Sequence, residues 1–370
     1  MKIIHTADLH LASPFSYLPK EKRKIKNVYL SQNFENLIKY AKKNNINHII
    51  LSGDIFDSNR PSLNIKSFFY NQIEAHPSIT FYYLKGNHDI EASLNVELNN
   101  LKTFKEIWTT YEIDNVTITG IEINGDIEDY IYKSLTLNAN KFNIVMMHGQ
   151  IINSASSNKK LISLPKLKDK NIDYLALGHI HKYSEMALDE KGIAIYPGCL
   201  EGRGFDELGP KGFVVIDTET KKYNFHQLTN REVIEQEINL SDTTSEVAAL
   251  KKIENEINLI DKDNIFRLIL KGDINYNYDN LEERLHSLYS NKFFYFETKI
   301  FLHEKIDIEN LKKGVSLKSE FFKIVDEDKN TSKEDKEEIY NLAMNLFNGE
   351  EINWYEINIM SHWKLWTITK

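Results

Sequence analysis

Seven side chains in this 370-residue chain are of the types that hold divalent metal ions: Asp8, His10, Asp54, Asn87, His148, His179 and His181. Carboxylate oxygen, amide oxygen and imidazole nitrogen together suit Mn²⁺, Fe²⁺ or Zn²⁺, with Mg²⁺ less favoured by so many imidazoles. A carboxylate shared by two ions would hold them about 3.5–4 Å apart, the spacing of two-metal hydrolysis. Asp54 is the candidate for that bridge. The signals differ in strength. Asp8-Leu9-His10 alone is weak, and Gly53-Asp54 alone reads as a turn. Gly86-Asn87-His88-Asp89 is more telling, because it follows an apolar strand directly. Gly178-His179-Ile180-His181 at a strand exit is intermediate. With His148 they make five signals in one order, and a shared metal site explains all five.

The elements that must position these residues are legible around them. Lys2–Thr6, His48–Ser52, Thr80–Lys85, Asn143–Met147 and Tyr174–Leu177 read as strands, and each ends at one of the five signals. Strand ends in α/β sheets open onto a common crevice, so residues distant in sequence can converge there. Gln32–Lys43 carries Phe34, Leu37, Ile38 and Ala41 at the spacing of a helix face, and Ser62–Glu74 reads as a second helix. Further strands are Val116–Ile121, Ile193–Tyr196, Gly212–Asp217 and Tyr223–Leu228, the last two joined by a polar turn as a hairpin. The pattern predicts an α/β fold with two mixed sheets between helices, a four-layer αββα sandwich.

After about residue 230 the pattern changes. Ser245–Ile257 and Asn280–Leu288 read as helices, and Ile265–Leu270 and Phe293–Ile300 as strands, which predicts a small separate α/β domain. Ile306–Asp328 is weakly patterned. Thr331 and Glu334 then form a capping-box signature for a helix running to Phe347, followed by a tail with Trp354, Tyr355, Trp363 and Trp366. The expected domains are 1–230, carrying the dinuclear centre; 231–305, a capping domain; and 306–370, a C-terminal helical segment and tail.

Composition bounds the setting. Hydrophobic content is 41% and charged content 27%, ordinary for a globular chain. No apolar run approaches the roughly 20 residues that span a bilayer. The N-terminus runs straight into a strand with no secretory signal, and Cys199 is the sole cysteine, so a reducing cytoplasm is expected. The net charge of −8 is uneven: residues 1–230 hold 27 Lys+Arg and 26 Asp+Glu, a net of +1, whereas residues 231–370 hold 19 and 28, a net of −9. The N-terminal part is therefore near neutral before any ion is added.

Asp8-Leu9-His10, Gly53-Asp54, Gly86-Asn87-His88-Asp89, His148-Gly149 and Gly178-His179-Ile180-His181 together resemble the calcineurin-like metallophosphoesterase superfamily. The resemblance covers roughly residues 1–230. His5–Leu11, Gly53-Asp54-Ile55-Phe56-Asp57 and Tyr196-Pro197-Gly198 are similar to DNA-repair exonucleases of the SbcD type. The stretch Gly202–Phe213 is similar to their YhaO-like branch. The resemblance implies that Asp8, His10 and His181 hold one ion, that Asn87, His148 and His179 hold the other, and that Asp54 bridges. Mn²⁺ is then the expected ion, with Mg²⁺, Fe²⁺ and Zn²⁺ as alternatives. His88 would contact the scissile phosphate and help protonate the leaving oxygen, and Asp89 would orient His88 through a hydrogen bond. The implied activity is metal-dependent phosphodiester hydrolysis in DNA as an exonuclease, with endonuclease activity also seen in such a site. The implied partners are DNA and an SMC-like ATPase subunit of the SbcC type, and family members are often dimers.

DNA binding needs cations at the phosphates. Two runs offer them: Lys20, Lys22, Arg23, Lys24 and Lys26, and Lys159, Lys160, Lys166, Lys168 and Lys170. Arg203, inside the resemblance-rich loop, is a third candidate contact. Phe15 and Tyr17 read as loop packing, Cys199 as a small packing residue, and His5, His48, His76 and His226 as structural or surface residues. Helix Thr331–Phe347 carries an apolar stripe of Ile339, Leu342, Ala343 and Leu346, which would dock either on its own chain or on the ATPase. Two other functions use the same residues: a phosphoesterase acting on a cyclic nucleotide or phosphoprotein, and a non-catalytic DNA-binding module. Ser58-Asn59-Arg60 after the second motif departs from the Asp-Arg-Gly of protein phosphatases, and the intact cage argues against the inert module.

Overall fold

The structure, a computed structural model, describes residues 1–89, 91–92, 96–154, 158–228, 231–305 and 308–347. It divides into two compact units. The first comprises residues 1–235 with 261–267 and 288–297, and the second the remaining segments from 236 onward.

The first unit is an α/β sandwich built on two six-stranded mixed sheets. In one, the order is β14 (Lys222–Gln227), β13 (Gly212–Asp217), β1 (Lys2–Thr6), β2 (His48–Ser52), β3 (Thr80–Leu84) and β4 (Leu101–Thr103). In the other it is β11 (Ser184–Ala187), β12 (Ile193–Tyr196), β10 (Tyr174–Gly178), β7 (Phe142–His148), β6 (Val116–Gly120) and β5 (Thr109–Ile113). β1, β2 and β3 run parallel, as do β6, β7, β10 and β12; β13 and β11 enter antiparallel. A two-residue pair, β8 (Ile151–Ile152) with β9 (Ile162–Ser163), follows β7.

Strand alternation builds the layers. Ile3, Ile50, Tyr82 and Leu84 point into the space between the sheets, where they meet Ile144, Met146, Tyr174 and Ala176. Their neighbours Ile4, Ile49, Leu51, Phe81 and Tyr83 point the other way, onto α1 (Lys20–Lys43) and α2 (Leu63–Glu74). Val145, Met147, Leu175 and Leu177 cover the outer face of the second sheet, packed by α3 (Asp129–Ser134) and loop residues Ile162, Leu164 and Leu167. Both faces of each central strand are thus apolar, which is why these strands read as near-continuous hydrophobic runs. The fourth layer is thin, because α3 has only six residues.

Helix α1 begins at Lys20, not at Gln32. Its buried positions Lys26, Leu30, Asn33, Phe34, Leu37, Ile38 and Ala41 keep one helical face throughout, but Lys26 and Asn33 hide that face from a hydrophobic reading. Short β4, β5 and β11 were not expected. β5 alternates half-buried and exposed residues as an edge strand does.

Strands β15 (Val233–Asn239), β16 (Ile265–Ile274) and β17 (Tyr295–Glu304) form a three-stranded sheet in that order. The chain also forms α4 (Glu246–Ile257) and α5 (Leu281–Tyr289). The second unit continues with α6 (Ile308–Lys312), α7 (Leu317–Glu327) and α8 (Lys333–Phe347). The weakly patterned stretch therefore contains two helices. Ser316 caps α7, its hydroxyl accepting from the Ser319 amide at 3.1 Å. For α8 the capping hydroxyl belongs to Ser332, which accepts from the Asp335 amide at 3.1 Å, one residue later than the Thr331 expectation. Tyr340 and Ala343 of α8 pack on Phe322 and Val325 of α7, with Ile339 at the edge. Leu346 remains 55% exposed. The aromatic tail from Trp354 to Trp366 lies outside the described residues. Among the described residues no helix is long and apolar enough to cross a membrane.

Candidate functional site

The C-terminal ends of β1, β2, β3, β7 and β10 come together at one edge of the first unit, and all seven candidate ligands stand on the turns that leave them. The turns are laced. The Asp8 amide donates to Gly53 O at 2.9 Å, and the His10 amide to Asp54 O at 3.1 Å. The two sheets also touch here: a Cβ on Gly178 would lie 1.9 Å from Ser52 O. Only glycine lets β10 come that close to β2. Asp8, His10, Asp54 and His179 hold positive φ, at 52°, 45°, 52° and 101°. Asp and His tolerate this region better than most residues, yet it remains uncommon.

Two clusters result. In each, the metal-binding atoms lie within 4.8 Å of one another: Asp8, His10 and His181 in the first, Asp54, His148 and His179 in the second. Asn87 Oδ1 joins the second, 3.1 Å from His148 Nε2 and 3.3 Å from His179 Nδ1. Asp54 reaches both, with Oδ2 3.3 Å from His148 Nε2 and 4.0 Å from His10 Nε2. Asp8 accepts the His179 amide on both oxygens, at 2.9 and 3.0 Å.

The donor set fits cations. His181 Nδ1 lies 2.6 Å from Glu207 Oε1 and His10 Nδ1 lies 3.3 Å from Asp57 Oδ1. A carboxylate only accepts, so Nδ1 carries the His181 ring proton, while the buried His10 Nδ1 has no hydrogen-bond partner among the described residues. The His181 Nε2 lone pair then faces His10 Nε2 at 3.1 Å in the cluster with Asp8, an arrangement that suits a cation. In the second cluster His148 Nδ1 donates to Ser52 O at 2.8 Å, which aims its Nε2 at Asp54 and Asn87. Burial raises the Asp8 carboxyl to about 7, although His148 and His181 pull it down. Burial would also raise Asp54, but the His148 hydrogen bond and charge, with the His88 amide, hold it well below the usual carboxylate range. His148 is pushed up to about 9: its burial works against the charge, and the bond and charge of Asp54 outweigh it. A divalent ion held there would take the place of that proton.

His88 stands beside the first cluster, its ring 5.4 Å from that of His10, and its amide donates to Asp54 Oδ1 at 2.9 Å. Asp89 does not orient it. The Asp89 carboxylate accepts from the amides of Ile55, Phe56 and Gly86 at 3.2, 3.1 and 3.1 Å, and so ties the β2 and β3 turns together. No Asp89–His88 bond occurs among the described residues, because the Asp89 side chain turns back beneath the loops, fully buried.

The residues expected to contact nucleic acid make these contacts within the chain. The Arg203 guanidinium is engaged by Asp57 and Glu207. Lys22 and Arg23 lie on α1, where Lys22 sits 5.9 Å from the Tyr295 ring centre and Arg23 Nε donates to Leu18 O at 2.6 Å. Lys24 pairs with Glu21. Lys159, Lys160 and Lys166 pair with Glu128, Asp126 and Asp129, which offsets most of the second basic run. Lys26 is not a surface cation at all. It is 1% exposed and paired with Glu201, which also accepts from Asn33 at 2.6 Å. Removing one partner of such a pair strands the other charge, at a cost of about 3–5 kcal/mol. Lys26→Met should therefore lower the unfolding free energy measured in urea by about that amount, and the midpoint with it. An unchanged midpoint would show the pair to be dispensable.

Asp57 and Glu207 have no role in the sequence reading. Their signal is positional: each is the acidic residue of a motif that also carries a ligand or Arg203, and each imidazole ligand needs an acceptor for its second nitrogen. Phe15 is buried, and Cys199 is buried with Sγ 3.5 Å from His181 O. His5 is buried against the Tyr174 hydroxyl at 2.8 Å. Two cavities flank the cage. One, about 450 Å³, is lined by His179, His181, Lys182, Asp206, Glu207 and Lys211 among others. The other, about 350 Å³, is lined by Lys85, Asn87, Ile123, His148, Lys160 and His179. His179 lines both.

The profile of the calcineurin-like phosphoesterase family matches residues 1–183. The uncharacterized metallophosphoesterase YhaO of Bacillus subtilis is 26% identical over 298 residues, covering 74% of this chain and 72% of that protein. The DNA double-strand break repair protein Mre11 of Sulfolobus acidocaldarius is 23% identical over 316 residues, 78% of this chain and 79% of that protein. Mre11 of Methanosarcina acetivorans is 24% identical over 232 residues, 58% of this chain but only 36% of that protein.

Proposed function

Since residues 1–183 form a calcineurin-like phosphoesterase domain, we propose that this chain is a divalent-metal-dependent phosphodiesterase that degrades DNA from its ends. The observation that carries the diester is the pair of cavities that share His179 in their linings. A phosphorus at the cage can carry one ester arm into each. DNA as the diester is supported by relatives named for double-strand break repair.

Asp8, His10 and His181 would hold one ion, and Asn87, His148 and His179 the other, with Asp54 between. Bound divalent ions, Mn²⁺ foremost, supply Lewis acidity toward the phosphoryl oxygens. The protein does the rest. Ser52 O and Glu207 fix the tautomers of His148 and His181, the Asp57 charge faces His10, and the His88 amide bond to Asp54 sets the His88 ring beside the cage. From there His88 delivers a proton to the departing sugar oxygen. On this reading the chain works with an SMC-like ATPase subunit, for which exposed Val315, Leu317 and Ile324 in the second unit offer an apolar surface.

The test is to incubate the chain and Mn²⁺ with end-labelled single- and double-stranded DNA, beside bis(p-nitrophenyl) phosphate. Shortening of DNA from its ends together with ester cleavage is expected. Ester cleavage without any DNA cleavage would remove the nuclease reading and leave a phosphodiesterase of small substrates. No cleavage of either by metal-loaded protein would remove both.

A further inference from the structure

We propose that Arg203 is a positioning residue that clamps the two histidines of one metal site and leaves the other site alone. The inference rests on the two-ion reading above and concerns residues outside the ligand set.

The geometry is a fork closed on two carboxylates. Arg203 Nη1 donates to Asp57 Oδ1 at 2.7 Å. Arg203 Nε and Nη2 donate to Glu207 Oε1 at 2.9 and 2.8 Å, and the Arg203 amide donates to Glu207 Oε2 at 2.8 Å. Each carboxylate also faces a ligand. Glu207 Oε1 takes the His181 Nδ1 proton at 2.6 Å, and Asp57 Oδ1 faces His10 Nδ1 at 3.3 Å. Ser13 Oγ adds a third donor to Asp57 at 3.1 Å. Arg203 Nη2 lies 2.9 Å from His181 Nδ1, but that nitrogen's proton already points at Glu207, so guanidinium and ring share the carboxylate and do not bond each other.

One planar cation thus fixes the turn after β2, which carries Asp57, to the loop 203–207, which carries Glu207. Glu207 sets the ring plane and tautomer of His181, and the Asp57 charge stands 3.3 Å from His10 Nδ1. The second cluster has no link to this clamp among the described hydrogen bonds. His148 is held by Ser52 main chain, and His179 by its own amide on Asp8. The clamp is half-buried, with the Arg203 side chain 21% exposed and Glu207 4% exposed. Lysine could not replace it, because a point charge lacks the fork that spans both carboxylates.

The consequence is an asymmetric loss of metal. Partners that orient a ligand are typically worth 10–100-fold in metal affinity. The full chain, stripped with chelator, is titrated with Mn²⁺ by calorimetry and by the electron paramagnetic resonance of free Mn²⁺. The parent is expected to bind two ions. Arg203→Met, which keeps the stem and removes the fork, should bind one ion as before and the other about 10–100-fold more weakly. Glu207→Gln is the second variant, for the case that Arg203→Met does not fold. Its amide nitrogen opposes donors that the carboxylate accepts, so the same one-sided loss is expected. A plain structural brace would give a different result: lower thermal stability with both affinities unchanged, or both weakened by the same factor. Either of those outcomes overturns the clamp. If the parent itself binds fewer than two ions, the two-ion reading fails instead, and the two failures are told apart by that control.

Discussion

Asp54→Ala should abolish paired metal binding and lower Mn²⁺-dependent cleavage of bis(p-nitrophenyl) phosphate by about 10³-fold, the equivalent of ~4 kcal/mol of transition-state stabilisation. Among the described residues, this carboxylate approaches ligand imidazoles of both clusters. Oδ2 lies 3.3 Å from His148 Nε2 and 4.0 Å from His10 Nε2, while Oδ1 holds the His88 amide at 2.9 Å. Alanine removes all three relations at once and also strains a backbone held at φ 52°. Asp54→Asn separates the causes. Asparagine tolerates that backbone and keeps an oxygen for the His88 amide, but it lacks the charge. Metal analysis and turnover are read together. Two ions retained per chain in Asp54→Ala would end the bridging assignment.

His88→Ala is expected to keep both ions and lose about 10²–10⁴-fold in DNA cleavage, the usual worth of a positioned general acid. The loss should depend on the leaving group. A sugar alkoxide needs a proton to depart, whereas p-nitrophenolate does not. Activity on bis(p-nitrophenyl) phosphate should therefore fall far less than activity on DNA. An equal loss on both substrates would mean that His88 orients the phosphate and donates no proton. Full activity on DNA would remove it from the reaction.

The cage was legible because metal chemistry restricts residue types and because strand ends restrict place. Asp8, Asp54, Asn87, His148 and His179 each follow a strand that its apolar run declares, so convergence could be argued without coordinates. The central strands were legible for the same reason: both their faces are buried. What escaped was polar and interior. Lys26 reads as one more cation in a basic run, yet it is buried against Glu201, since composition does not report which charge has a partner 175 residues away. Asp89 sits next to His88 in sequence, and the family resemblance implied a hydrogen bond between them. Instead its carboxylate serves three amides of two turns. Arg203 presents the same problem. An arginine in a site-facing loop reads as a phosphate contact until Asp57 and Glu207 are seen to close on it. Edge strands β4, β5 and β11 lack an apolar run, and α6 has only five residues, too few for a helical period; α7 is amphipathic, with Phe322 and Val325 on its buried face, but the charged stretch around it hides that stripe.

The left-handed backbone at Asp8, His10, Asp54 and His179 bears on how such a chain would age under mutation. For residues with a Cβ this conformation costs of order 1 kcal/mol each, and glycine removes the cost. In a lineage relieved of selection for activity, replacement at these four sites would be favoured by folding itself, and the ligands would be among the first residues lost. A retired copy would thus be recognised by glycines where the carboxylates and imidazoles stand.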